Sequence, residues 1–207
     1  MLITKTKAIG SRTFSLKCDD SLETQGEFLL NLFRDTEEET GFLEDGMKIQ
    51  VGWSILFVHE LDSENAEILA PDYATNPFAR TTDDLSATLT VQLAQNHVLK
   101  LTGAGGETTL FQDTLISSER ALAADRVYLE RTEHREEGRS GWYLGPVEGE
   151  VAQDELRLYY AFQLFNLRPG VLKVLALPKG YVAVLNGEDI EAVLDPSDRG
   201  VWRGDSE

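Results

Sequence analysis

Leucines fall at helical spacing in two stretches of the chain, while β-branched and aromatic residues bunch in several others. Leu2–Ile9 reads as an opening strand, and "TFSLK" follows it. In "DDSLETQGEFLLNLFRD", Leu22, Leu29, Leu32 and Phe33 predict a helix. Asp19, Asp20 or Ser21 is its N-cap, and Gly26 weakens its middle. "GMKIQVGWSILFVHEL" reads as one long strand, or as two bent at Gly52; its continuous apolar run predicts burial on both faces. "APDYATNPFARTTDD" is a polar connector ending in a helix cap at Thr82 or Asp83. The helix it caps runs through "DLSATLTVQLAQNHVLKLTG", where Leu85, Leu89 and Leu93 repeat at i, i+4 and Gly103 stands at the end.

The second half has a different pattern. "TTLFQDTLISSERALAAD" fits either a strand or a short helix. "RVYLERTEH" and "WYLGPV" read as strands joined by a charged turn through Ser140-Gly141. "DELRLYYAFQLFNLRPGVLKVLALP" predicts a helix from Asp154 with a stripe of Leu156, Tyr160, Leu164 and Leu167. Pro169 must interrupt it, and "GVLKVLAL" restarts a short helix. In "GYVAVLNGEDIEAVLD", Asn186-Gly187 predicts a type I′ hairpin, and "PSDRGVWRGDSE" reads as a tail. Together these elements predict an α+β protein of two small packed domains, each an antiparallel or mixed sheet with one or two helices. The expected domains are residues 1–116 and 117–207, the second ending in an acidic tail. Gly-Trp enters a strand in both halves, which is compatible with an old duplication.

Composition narrows the function. Of 207 residues, 42% are hydrophobic and 9% aromatic, enough for a packed core. "MLITKTKAIGSRTF" lacks an apolar block after its lysines, so no signal peptide is expected. A single cysteine, Cys18, cannot form an internal disulfide and fits a reducing cytoplasm, which is the expected location. Nineteen basic against thirty-six acidic residues give a net charge of −17, which disfavours direct nucleic-acid binding. Excess acid serves solubility in many proteins; a sharper use is steering a basic partner. From Asp19 to Asp45 ten acidic residues face Arg34 alone, with "DTEEET" (residues 35–40) the densest run. Such a run is a solvated loop or helix end, or an imitation of phosphates for a protein that itself binds nucleic acid.

Catalytic vocabulary is thin. His59, His97 and His134 are scattered, and with one thiol they form no metal-ligand pattern, so neither metal nor cofactor is expected. His59 reads as a hydrogen-bonded core residue, His97 as a helix residue and His134 as a solvated one. "GRSGW" lacks the final glycine and following helix of a nucleophile elbow. "GAGGET" lacks the lysine of a phosphate loop. "TEHREEG" fits an exposed hairpin better than an acid/base pair. Trp53, Trp142, Tyr143, Tyr159 and Tyr160 read as core first and interface anchors second.

Ser140-Gly141-Trp142, the Arg168-Pro169 break and Leu177-Pro178-Lys179-Gly180 follow one another in that order. With them, Asp125 to Asp198 resembles the immunity-protein domain found beside bacterial polymorphic toxins and type VI secretion effectors. Arg139 stands where an Asp-Ser-Gly-Trp form would carry its acid. The resemblance implies a cytoplasmic, non-enzymatic protein that binds and neutralises a cognate toxin. A nuclease toxin would need a basic cleft, which a carboxylate-rich face could cover. The expected partner-binding residues are Glu37, Glu38, Glu39, Asp62, Glu64 and Glu67, all placed in polar connections. The competing readings are an acidic adaptor or scaffold without a toxin partner, and a hydrolase built from dispersed carboxylates. Neither a membrane nor nucleic acid is an expected direct partner.

Overall fold

The computed structural model describes residues 1–132 and 138–204. It confirms an α+β architecture, with strands gathered in two sheets and a few helices against them. The chain divides into two compact units, Met1–Leu93 and Ala94–Glu207.

In the first unit, β1 (Leu2–Ile9) and β2 (Arg12–Asp19) form an antiparallel hairpin. A 3-10 turn, Asp20–Leu22, then leads into α1 (Glu23–Thr40). The Asp19 carboxylate accepts from the Ser21 N–H at 3.0 Å and so caps this 3-10 turn; α1 itself starts after Leu22 with no side-chain cap, so none of the three expected residues caps it directly. "GMKIQVGWSILFVHEL" resolves into two strands, β3 (Lys48–Val51) and β4 (Ser54–Glu60), turning at Gly52-Trp53. β5 (Asn65–Pro71), which the sequence reading passes over, completes the order β1-β2-β5-β4-β3, and the two-residue β6 (Thr81–Thr82) pairs with β5. β2 and β5 run parallel, a long-range pairing that no local pattern announces. Buried Phe14 and Leu16 from β2, Leu56 and Val58 from β4, and Ala66 and Ile68 from β5 meet Leu29, Leu30 and Phe33 of α1.

Helix α2 (Ser86–Thr102) starts later than expected: the carboxylate that accepts from the Ser86 N–H, at 2.9 Å, belongs to Asp84 and not to Thr82 or Asp83. The division between the units falls inside this helix, whereas the sequence places a boundary near residue 117. That position lies in β7 (Thr114–Ser117), an interior strand of the second sheet. The ambiguous stretch is both things in turn, β7 and then α3 (Glu119–Ala123), whose cap is Ser118 accepting from Ala121 N–H at 3.1 Å.

β8 (Arg126–Arg131) and β9 (Arg139–Pro146) pair antiparallel, with Ser140-Gly141 inside β9 and not in a turn. The helix expected from Asp154 does not form. Its residues are split among a 3-10 turn, the edge strand β10 (Arg157–Tyr160), a further turn and the single-turn α4 (Leu164–Leu167). Pro169 ends that run as expected, and Pro169–Val174 restarts as 3-10 helix. The hairpin of β11 (Val182–Asn186) and β12 (Asp189–Leu194) forms, but its turn differs from type I′. Asn186 pairs with Asp189, which leaves Gly187 and Glu188 as the turn residues, and of these Gly187 alone has positive φ (56°). The supposed tail contributes a last edge strand, β13 (Gly200–Arg203). The second sheet thus reads β10-β7-β9-β8-β11-β12-β13.

The Arg168-Pro169-Gly170 break has a physical reason. Buried Arg168 donates to the carbonyls of Leu122, Ala124, Asp125 and Gly187, tying α3's end to the β11–β12 turn. Burial pushes its guanidinium pKa down from the usual value. At Gly170 the chain passes so close to the hairpin that a Cβ would lie 2.6 Å from the Glu188 carbonyl oxygen. Gly170→Ala is therefore expected to lower the stability of the chain by about 1–3 kcal/mol, measured by urea unfolding. A change below experimental error would show that the backbone yields there freely.

Candidate partner-binding surface

The six expected carboxylates all lie in the first unit, in three places. Glu37, Glu38 and Glu39 occupy the last turns of α1, which is helix and not a connection. Asp62 and Glu64 form the β4–β5 turn, as expected of a polar connection. Glu67 lies within β5, half-buried and opposite His59. The β1–β2 hairpin touches both of the first two groups. A Cβ on Gly10 would lie 2.8 Å from Glu37 Oε1, and the Thr13 N–H donates to the Glu64 carbonyl at 2.7 Å. Arg12 of the same hairpin reaches Glu60 Oε2 at 3.3 Å and the Leu43 carbonyl.

This end of the unit is more acidic than the sequence reading held. Asp45 accepts from the Glu60 N–H at 2.8 Å, which adds Glu60 and Asp45 to the group. Asp62 accepts from the side-chain amide of Asn65 and from the N–H groups of Glu64 and Asn65, at 2.8 to 3.0 Å. Those bonds, led by the Asn65 side chain, hold its carboxyl below the usual carboxylate range, so it is charged at neutral pH. Glu38 is exposed and 3.6 Å from Arg34. No basic residue stands in the last turn of α1, where the helix dipole would favour one. The first unit carries 17 acidic and 7 basic residues and the second 19 and 12, so the smaller unit holds the greater net charge, −10 against −7.

His59 corrects the sequence expectation: it is exposed, with Nδ1 3.5 Å from Asp45, because β4 turns this residue to solvent near its end. His97 is exposed on α2, while His134 and the rest of "EHREE" lie outside the described residues. Among the described residues no three of His, Cys, Asp and Glu are grouped to hold a metal ion. No described helix is long and apolar enough to cross a membrane.

The tryptophans are core. Trp53 and Trp142 are each 1% exposed, and each indole N–H donates to a backbone carbonyl, Thr88 at 3.1 Å and Leu175 at 3.2 Å. Tyr143 and Tyr159 are half-buried and Tyr160 is exposed. The second unit also has a groove of about 470 Å³, lined by Val98 and Leu101 of α2 and by Ile190, Val193 and Trp202 of the sheet edge. His97 and Lys173 stand in its polar margin.

One comparison with known families finds a match, to a family of immunity proteins. More specifically, residues 94–196 match the family model of the Imm33-like domain, just under half of the chain. The match begins at the first residue of the second unit and stops before β13, so the first unit and the last strand lie outside it. Comparison with curated proteins and with solved structures found no match.

Proposed function

We propose that this chain is an immunity protein that neutralises a cognate bacterial toxin by binding it, one to one, without chemistry of its own. The toxin is a type VI secretion effector with a basic nuclease domain, and the encounter takes place in the cytoplasm. The observation that carries this reading is the Imm33-like match over residues 94–196. The charge of the first unit supports the choice of a basic partner, since a negative face steers such a partner and raises its on-rate about 10 to 1,000-fold at low salt. Glu37, Glu38, Glu39, Asp62, Glu64 and Glu67 are the proposed acidic contacts within an interface of about 1,600 Å².

Co-expression tests the reading. The product of a neighbouring gene should arrest growth alone and be harmless with this chain, and the purified pair should bind with an on-rate that falls as salt rises. Growth arrest that persists in the presence of the folded chain would overturn it. Tight binding insensitive to salt would remove the electrostatic part alone.

A further inference from the structure

Helix α1 presents an aromatic side chain to solvent on the side away from its sheet. Gly26, Leu29, Leu30 and Phe33 are buried and seat the helix on β1 and β2. Thr24, Phe28, Asp35 and Glu38 recur at helical spacing on the opposite side, and all are exposed. Phe28 is 69% exposed, and Phe42, just past the helix end, is 51% exposed. Single exposed apolar residues are ordinary. Phe28 differs in its setting: a rigid aromatic on a helix whose exposed charges include Glu27, Asp35, Glu38 and Glu39, which stay net negative although Lys5 binds Glu27 and Arg34 pairs with Asp35 and Glu38.

We propose that this face of α1 is a docking surface for a basic protein that offers Phe28 an apolar pocket. The inference rests on the immunity reading above and names the surface and anchor through which the toxin is held. Charge selects the occupant. A second copy of this chain would set the same carboxylates against themselves across a two-fold axis, and nucleic acid or an anionic membrane would be repelled. A basic protein surface complements the net negative charge that Lys5 and Arg34 leave on this face, while its pocket takes up the ring. Because α1 lies outside the Imm33-like match, the contact would belong to this chain in particular and set which toxin it recognises.

The test uses the full-length chain and the purified toxic product of the neighbouring gene, with kinetics followed by biolayer interferometry. Phe28→Ala should weaken binding at least about 30-fold, chiefly through faster dissociation, with an unchanged circular dichroism spectrum. A chain carrying Glu38→Lys and Glu39→Lys should associate about tenfold more slowly at low salt. Its melting temperature should hold or rise, because lysines suit a helix C-terminus. A contact that were only structural would not separate binding from stability in this way. Native-strength binding by Phe28→Ala would overturn the proposal and leave the immunity reading standing. If the unaltered chain fails to bind the toxin, both fall together.

Discussion

Arg131→Ala should cost the chain about 3–5 kcal/mol of stability, a large part of what a domain of this size possesses. Arg131 ends β8 and is 1% exposed, yet it is charged. Its guanidinium donates to the carbonyls of Ser140 at 3.1 Å, Glu107 at 2.7 Å and Leu177 at 2.7 Å. Nη2 lies 3.4 Å from the Glu107 carboxylate, and the group faces the Trp142 ring at 5.6 Å. One side chain thus joins β9, the stretch before β7 and the segment after the 3-10 helix. Alanine would deprive three carbonyls of their donor and leave a hole beside the indole. Arg131→Lys should recover little, because a single ammonium cannot span three carbonyls in the fixed fork of a guanidinium. Urea unfolding followed by circular dichroism measures both variants. A loss below about 1 kcal/mol for the alanine variant would refute this role.

The second large effect is expected at Trp53. Its ring stacks on Tyr73 with centroids 4.7 Å apart, and the Tyr73 hydroxyl meets Ser54 Oγ at 2.7 Å. Trp53→Ala removes one of the largest fully buried side chains in the protein and should cost about 3–5 kcal/mol. Burial pushes the Tyr73 phenol up to about 12. Opening the site to water should bring that pKa down towards the ordinary value near 10, as ultraviolet titration would show. A Tyr73 titration unchanged by Trp53→Ala would mean that the cavity collapses and keeps the phenol dry.

Legibility in the sequence followed the range of the interactions. β1, α1, α2 and the β11–β12 hairpin were readable because β-branched runs, leucine spacing and an Asn-Gly turn signal are local, while the exact helix caps were not. β10 was not, because Leu156, Tyr160 and Leu164 recur at helical spacing, although of the three only Tyr160 lies in the edge strand. Its pairing of Leu158 with Ile116 reaches back across the unit. β5 and β13 were missed for the same reason, since their partners supply the register. The acidic surface was half visible. Glu37–Glu39 stand out as a run, but only the folded chain sets Glu37 and Glu64 against one hairpin and joins Asp45 to Glu60. Phe28 passed unnoticed inside an apolar stretch, where its outward direction cannot be told from composition.

β13 bears on how the second unit should be produced by itself. A fragment cut at residue 196, where the Imm33-like match ends, would lose Trp202 from its place opposite Val193. The bared margin of β12 would then offer unpaired amides beside an oily hollow, an invitation to sticky self-association. Expression of that half would be cleaner if its reading frame ran on through Arg203.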